Sequence, residues 1–284
     1  MRWERGRRSD NIEDRRGMRV SGRGLAGGGI GAIVLALVAM YFGVDPSVVL
    51  NQAGTLAPAQ QEQQATFSPE EERLKEFMSV VLADTEDVWG TLFQSSGQTY
   101  PPPKLVLFSG AVESACGFAE AAMGPFYCPA DQKLYLDMSF FNELAQRHDA
   151  PGDFAQAYVV AHEVGHHVQT LLGVSEQVHA ARQRAGETEG NALQVKMELQ
   201  ADCFAGVWAH HAHQQRQILE PGDTEEALAA AAGVGDDRLQ KQTRGHVVPD
   251  SFTHGSSEQR MRWFSRGLQS GDPGQCDTFK AARL

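Results

Sequence analysis

The chain has 284 residues, of which 42% are hydrophobic, so it can bury the core of one sizeable domain and still carry extensions. Its formal net charge is -11 at pH 7, and this charge is unevenly distributed, because residues 1–24 carry eight Arg against four acidic residues. An acidic remainder argues against a nucleic-acid partner, since surfaces that bind nucleic acids are basic.

An uncharged stretch at residues 25–44 follows this basic start, with the sequence LAGGGIGAIVLALVAMYFGV. A helix of this length can cross a bilayer, so we predict one transmembrane helix here. The positive-inside rule then makes residues 1–24 a basic cytoplasmic tail and places the rest outside the cytoplasm, in the periplasm or at the cell surface. A signal peptide cleaved near Ala57-Pro58-Ala59 is the main alternative, and a buried soluble helix is a third.

Residues 45–66 contain Gln, Ala and Pro without apolar periodicity, which predicts a flexible linker. The folded domain, residues 67–284, then begins with Ser68-Pro69-Glu70-Glu71, an N-cap and capping-box pattern that predicts a helix ending near Gly97. A strand is expected at 104–108. Two further strand signals in the segment 126–136 flank a turn and predict an antiparallel hairpin.

From Asp153 onward the pattern is helical, with Asp153 as the predicted N-cap of a helix that stops at Gly173. This helix contains His162, Glu163 and His166 in an HExxH arrangement. Residues four apart share a helix face, so two imidazoles can bind one metal while Glu163 lies beside it as a general base. The alternative is two histidines on an ordinary amphipathic helix.

Two histidines leave zinc short of a third protein ligand, and the next helical stretch, roughly residues 189–213, supplies Glu198 and Asp202 on one face. One carboxylate can bind zinc while the other accepts the free N–H of a ligating His. An acidic pair on a solvated face is the alternative. The surrounding residues are largely apolar, however, and unpartnered carboxylates there would be costly.

Several polar residues outside these helices have two possible roles. His254 could donate a hydrogen bond to a developing oxyanion, or it could be a polar loop residue before the final helix. We expect Arg260 to pair with a helix acid rather than with a substrate carboxylate. We expect His210, His211 and His213 to form a solvated face rather than a second metal site, because adjacent helical residues diverge by about 100°.

Four cysteines follow the apolar segment, and an even number in an exported domain suits disulfides. Four cysteines allow three pairings, of which Cys116–Cys128 with Cys203–Cys276 is the simplest. Free buried thiols are the alternative. A structural zinc held by four thiolates is disfavoured, because the chain has no CxxC.

Over nearly its whole length the chain resembles the bacterial membrane-anchored neutral zinc metallopeptidase family, whose members are glutamate-type zincins. The similar stretches are Met1-Arg2-Trp3, the segment 11–17, Cys116-Gly117, the segment 124–129, the HEVGHH helix, the segment 198–202 and the segment 251–260. The resemblance implies zinc bound by His162, His166 and Glu198, with Glu163 as catalytic carboxylate and Asp202 supporting a ligand.

Together these observations predict an α+β fold, in which a mainly helical zincin-like core packs beside a small antiparallel sheet after one N-terminal transmembrane helix. The predicted activity is that of a membrane-anchored endopeptidase with one zinc per chain and a polypeptide substrate. The 126–136 hairpin would bind that substrate as an added strand. The alternatives are a non-catalytic scaffold with structural zinc and an amidase acting on non-peptide cell-envelope material.

Overall fold

The computed structural model describes residues 1–18 and 66–284 of the chain. Within these ranges, Met1–Arg16 and Phe67–Leu284 form one compact unit. The predicted transmembrane helix at 25–44 and the predicted linker at 45–66 lie outside the described residues. Within the two described ranges, no helix is both long and apolar enough to cross a membrane.

The first helix, α1 (Pro69–Ser95), begins where the sequence predicts. The Ser68 hydroxyl accepts the Glu71 backbone N–H at 3.2 Å, and the Glu71 carboxylate accepts the Ser68 backbone N–H at 2.7 Å. This capping box satisfies two backbone donors that a helix start otherwise leaves unpaired, and Pro69 needs no partner there. The predicted capping box is confirmed.

The described residues contain six strands: β1 (Ile12–Asp14), β2 (Lys104–Phe108), β3 (Ala111–Ser114), β4 (Gly117–Glu120), β5 (Phe126–Cys128) and β6 (Lys133–Asp137). Four of them form the main sheet in the order β1-β2-β6-β5, and β3 and β4 form a separate hairpin. The β5–β6 hairpin is antiparallel, as predicted, but β1–β2 and β2–β6 are parallel. The prediction of an antiparallel sheet was therefore wrong in part. The chain leaves β2, makes the β3–β4 hairpin and β5, and re-enters beside β2 in the same direction.

The first sixteen residues belong to this folded unit, which differs from the separate tail expected for residues 1–24. The indole of Trp3 is buried and meets the ring of Phe77 edge-on at 5.2 Å. Arg7 pairs with Glu86 of α1 at 2.7 Å, and the buried guanidinium of Arg16 pairs with Glu72 at 2.6 Å. The basic residues at the start of the chain thus neutralise acidic residues of α1.

Seven more helices follow the sheet in the described part of the chain. They are α2 (Phe140–Arg147), α3 (Asp153–Leu171), α4 (Val174–Arg182), α5 (Glu187–Arg216), α6 (Asp223–Gly233), α7 (Asp236–Arg244) and α8 (Ser257–Ser270). The α+β class is confirmed. The N-cap of α3 is Gly152 rather than the predicted Asp153, and Glu226 of α6 accepts the Phe154 N–H at 3.1 Å. Glu226 thereby does the capping that the sequence assigned to Asp153.

Helices α3 and α5 cross backbone to backbone at Gly165. A Cβ at this position would lie 2.9 Å from the carbonyl oxygen of Ala201, closer than side-chain carbons approach. Glycine is therefore required for the crossing, which lies within one turn of His162, His166, Glu198 and Asp202 along the two helices. The close approach brings side chains of two helices to one point.

Two disulfides tie the outlying segments to this framework. Cys116 joins Cys128, which ends β5, and Cys203 of α5 joins Cys276 in the short 3-10 turn Pro273–Cys276. This is the simplest of the three possible pairings, and it leaves no free cysteine in the described residues.

Candidate metal centre

His162 and His166 of α3 converge with Glu198 of α5. One ligand atom from each side chain lies within 4.8 Å of the other two. Oε2 of Glu198 is 3.2 Å from Nε2 of His162 and 3.5 Å from Nε2 of His166. His162 and Glu198 are buried, with 7% and 6% of their surface exposed, so the three side chains form a compact nitrogen and oxygen donor set.

The other ring nitrogen of each histidine is occupied. Nδ1 of His162 lies 2.8 Å from Oδ1 of Asp202, and Nδ1 of His166 lies 2.9 Å from Oε1 of Gln169. Both partners accept hydrogen bonds, so each Nδ1 keeps its proton when the ring is neutral, and each Nε2 is the nitrogen left to bind a metal at the common point. Oε1 of Glu198 accepts from Gln194 at 2.8 Å, which leaves Oε2 facing the two histidines.

This donor set fits a zinc ion. Two imidazole nitrogens and one carboxylate oxygen are the three protein ligands of many catalytic zinc sites, in which the fourth position is left for water or substrate. The outer hydrogen bonds fix the tautomers that metal binding requires. These are features of the chain's own residues, so the fit does not depend on the family resemblance.

Asp202 is the centre of a buried polar network. Its carboxylate accepts two hydrogen bonds from the guanidinium of Arg260, at 2.8 and 2.9 Å, and one from the hydroxyl of Tyr158. Burial raises the pKa of Asp202, but the charges of Arg260 and His162 overcome this and lower it to about 2. Arg260 therefore pairs with a helix acid, in agreement with the expectation from sequence.

The charges at the site are strongly coupled. Burial lowers the pKa of His162, but Asp202 and Glu198 outweigh burial and raise it to about 9. Burial raises the pKa of Glu198, yet His166 and His162 hold it well below its ordinary value. The two carboxylates thus favour positive charge between the histidines and Glu198. A divalent cation would supply that charge in place of imidazole protons.

A cavity of about 920 Å³ opens over the three side chains. Glu163 and His254 both line it, so the structure brings the predicted general base and the predicted oxyanion donor to one space. Apolar side chains cover much of the remaining wall: Met123, Phe126, Phe140, Val159, Val178 and Met197. Among the described strands, β5 lies at an edge of the main sheet, and both Phe126 and Tyr127 face this cavity.

Asp236, at the start of α7, holds the loop that carries His254. Its Oδ2 accepts the backbone N–H groups of Thr253, His254 and Gly255 at 2.7, 2.6 and 3.0 Å. Its Oδ1 lies 3.4 Å from Nδ1 of His254. This hydrogen bond raises the pKa of His254, although burial opposes the shift. The imidazole is thus fixed by Asp236 on one nitrogen.

Three further histidines were predicted to form a solvated face, and the structure leaves His213 exposed but half-buries His210 and His211 in structural contacts. Nδ1 of His210 bonds the carbonyl of Leu268 at 2.8 Å, and Nε2 of His211 bonds that of Gly271 at 2.7 Å. His213 accepts the backbone N–H of Leu219 at 3.2 Å. These bonds join the end of α5 to the end of α8 and to the following turn, because α8 packs along α5.

Several residues of the site went unnoticed in the sequence: Tyr158, Gln169, Gln194, Gln200 and Asp236. Helical spacing could have found three of them. Tyr158 lies four residues before His162, Gln169 three after His166 and Gln194 four before Glu198, so each shares a helix face with the residue it serves. Asp236 acts across the fold and leaves no local signal.

Comparison with known proteins agrees with this geometry. Residues 1–279 match the family model described as "Putative neutral zinc metallopeptidase". The uncharacterized protein YpfJ of Escherichia coli (strain K12) is 52% identical over 288 residues, covering 98% of this chain and 99% of that protein. The uncharacterized protein Rv2575 of Mycobacterium tuberculosis (strain ATCC 25618 / H37Rv) is 45% identical over 262 residues, covering 87% of this chain and 86% of that protein. No solved structure matches the chain. The chain belongs to the neutral zinc metallopeptidase family.

Proposed function

We propose that the chain is a zinc-dependent endopeptidase whose single zinc is held by His162, His166 and Glu198. The observation that carries this proposal is the convergence of two Nε2 atoms and one carboxylate oxygen beneath a cavity that Glu163 also lines. Glu163 follows a ligand directly in α3 and is half-buried, so its carboxylate is beside the metal position and open to the cavity.

Bound zinc would polarise the substrate carbonyl and lower the pKa of its water toward neutrality. Glu163 would accept a proton from the attacking water and deliver it to the leaving amine. His254, held by Asp236, donates a hydrogen bond to the negative charge that develops on the carbonyl oxygen. Asp202 and Gln169 keep the two imidazoles oriented throughout.

The walls of the cavity favour an extended polypeptide as substrate. Strand β5 ends the main sheet within the described residues, and its backbone can pair with a peptide laid along it. Met123, Phe140 and Val159 supply an apolar surface for the peptide's side chains. We therefore expect cleavage beside large apolar residues.

Two other functions were weighed against this proposal. A scaffold with structural zinc needs a fourth protein ligand to close the site, whereas here Glu163 and an open cavity occupy that side. Hydrolysis of a non-peptide amide would use the same groups. The edge strand at the cavity favours a polypeptide, because only a polypeptide backbone offers regularly spaced strand-pairing groups.

The two disulfides support a location outside the reducing cytoplasm. We propose that the domain acts in the periplasm or at the cell surface, next to the membrane. The apolar residues 25–44 remain the predicted membrane contact.

The test is digestion of a diverse peptide library by the purified full chain, before and after zinc removal and after zinc is restored. The proposal expects cleavage that disappears with zinc and returns with it, with cuts beside apolar residues. Matched samples of Glu163→Gln should leave the library intact. Cleavage that survives zinc removal would refute the proposal.

A further inference from the structure

A series of hydrogen bonds through buried side-chain amides connects His166 to the C-terminal segment. Oε1 of Gln169 lies 2.9 Å from Nδ1 of His166, and Nε2 of Gln169 donates to Oε1 of Gln200 at 3.0 Å. Nε2 of Gln200 in turn donates to the carbonyl of Cys276 at 3.0 Å. Gln169 is fully buried and Gln200 is 7% exposed, so water cannot readily replace these bonds.

The Cys276 carbonyl at the far end of this series determines which group donates and which accepts in every hydrogen bond. The carbonyl of Cys276 can only accept, so the NH2 of Gln200 must face it and the oxygen of Gln200 must face Gln169. The NH2 of Gln169 then donates to Gln200 and, at 2.8 Å, to the carbonyl of Met197. Its oxygen is left for His166, whose Nδ1 must therefore carry the proton. Nε2 of His166 is then the nitrogen left to bind the metal.

We propose that Gln169 and Gln200 are positioning residues that fix His166 as an Nε2 ligand. We call the hydrogen bonds from His166 through Gln169 and Gln200 to the Cys276 carbonyl the amide relay, and this carbonyl is its anchor. This inference rests on the proposed zinc site. The anchor is itself held, because Cys276 is bonded to Cys203 of α5 and Thr278 donates to the carbonyl of Lys196 at 2.7 Å. The C-terminal segment is thus part of the support of the metal centre.

The test measures zinc affinity by competition with a chelator for the full chain and for Gln169→Ala, Gln200→Ala and the double variant. Loss of one partner of a metal-binding His typically weakens metal binding ~10–100-fold, which we expect for Gln169→Ala. Gln200 acts through Gln169, so the double variant should lose about as much as Gln169→Ala alone. Gln156→Ala is the control, because Gln156 lies on the same helix but lines a different cavity beside Trp3.

A second readout separates positioning from mere stability. The 15N shifts of His166 in the zinc-free protein, recorded at a pH high enough to keep the imidazole neutral, should report the Nδ1–H tautomer in wild type and a mixture in Gln169→Ala. Unchanged zinc affinity and an unchanged tautomer in a folded Gln169→Ala protein would overturn the relay. If the wild type itself bound no zinc, the proposed function would fail instead, so the two failures are distinguishable.

An independent inference comes from the N-terminal strand. Strand β1 pairs in parallel with β2. The Leu105 N–H donates to the backbone carbonyl of Asn11 at 2.9 Å, and the Arg15 N–H donates to the backbone carbonyl of Leu107 at 2.7 Å. The guanidinium of Arg16 lies over the ring of Phe67, 3.9 Å from its centre. The residues on the two sides of segment 17–66 therefore touch each other.

A chain that crosses a bilayer once leaves its two flanks separated by a hydrocarbon layer of about 30 Å. Hydrogen bonds between β1 and β2 cannot form across that layer. The described residues on the two flanks therefore cannot lie on opposite sides of a bilayer while β1 pairs with β2. We infer that residues 1–16 and 67–284 fold on the same side of the membrane, in place of the cytoplasmic tail that the charge pattern predicts.

The test is labelling of single added cysteines in intact cells with a maleimide that cannot cross the membrane. Asp10→Cys reports on the N-terminal segment and Glu225→Cys on the helical domain, since both positions are exposed. The inference expects both to react before lysis, or both only after it. Reaction of one alone before lysis would overturn it. Arg5→Cys, another exposed position, repeats the measurement if Asp10→Cys does not accumulate.

Discussion

Asp202 and Glu198, four residues apart on α5, hold opposite nitrogens of one imidazole: Oδ1 of Asp202 lies 2.8 Å from Nδ1 of His162, and Oε2 of Glu198 lies 3.2 Å from its Nε2. The two carboxylates thus have different tasks. Asp202 is saturated by Arg260 and Tyr158 and orients the ring, whereas Glu198 faces the point where a metal would bind.

The first prediction ranks these two carboxylates by zinc affinity. Asp202→Asn should weaken zinc binding by ~10–100-fold, because an outer partner of a ligand is impaired. Glu198→Ala should weaken it further, because a ligand is lost. Chelator competition on both purified variants measures the order. A Glu198→Ala protein that binds zinc as tightly as the wild type would contradict the assigned ligand set.

The second prediction concerns pH. Asp236 raises the pKa of His254 above 6.5, so the protonated, donating imidazole persists to higher pH and is lost as pH rises through that raised value. In Asp236→Asn this support is gone, and the basic limb of the kcat/KM profile should move to lower pH. Asp237→Asn is the matched control, since Asp237 bonds Ser257 instead. An unmoved limb in Asp236→Asn would argue that His254 does not act as a proton donor.

The third prediction concerns the helix crossing. Gly165→Ala places a methyl group against the Ala201 backbone and should destabilise the fold by ~1–3 kcal/mol, since backbone atoms cannot move aside cheaply. Gly90→Ala in α1 meets open space and should be neutral or stabilising by up to ~1 kcal/mol. Urea unfolding of both variants gives the comparison. Equal stability of the two would contradict the close approach.

The fourth prediction compares the disulfides. Cys203–Cys276 closes 73 residues and Cys116–Cys128 closes 12, so chain entropy alone assigns them about 4 and about 3 kcal/mol. Replacing Cys203 and Cys276 with Ser should therefore cost more stability than replacing Cys116 and Cys128. It should also weaken zinc binding, because Cys276 anchors the amide relay. The reverse order of stabilities would show that loop length does not govern the effect.

The features that the sequence predicted are those encoded locally. The HExxH spacing, the capping box at Ser68 and the β5–β6 hairpin each depend on residues that are close together in the sequence. The family resemblance assigned Glu198 and Asp202 to their places before the structure brought them to His162.

The features that were missed depend on distant parts of the chain. Strand β1 has only three residues, too few to show an alternation of polar and apolar side chains. Its partner strand begins more than ninety residues later, so no turn sequence predicts the pairing either. The ion pairs of the basic residues around it were missed too, because their acidic partners in α1 lie beyond the apolar segment. The parallel β2–β6 pairing likewise follows from the path of the intervening hairpin, which no local pattern fixes.

The most direct test of the proposed mechanism measures zinc content and peptide turnover on the same samples of wild type and Glu163→Gln. Glu163 accepts and delivers the proton without binding the metal. We therefore expect one zinc per chain in both proteins, with turnover in Glu163→Gln reduced at least ~10²-fold. Full turnover in Glu163→Gln, or loss of zinc together with activity, would contradict the role assigned to this residue.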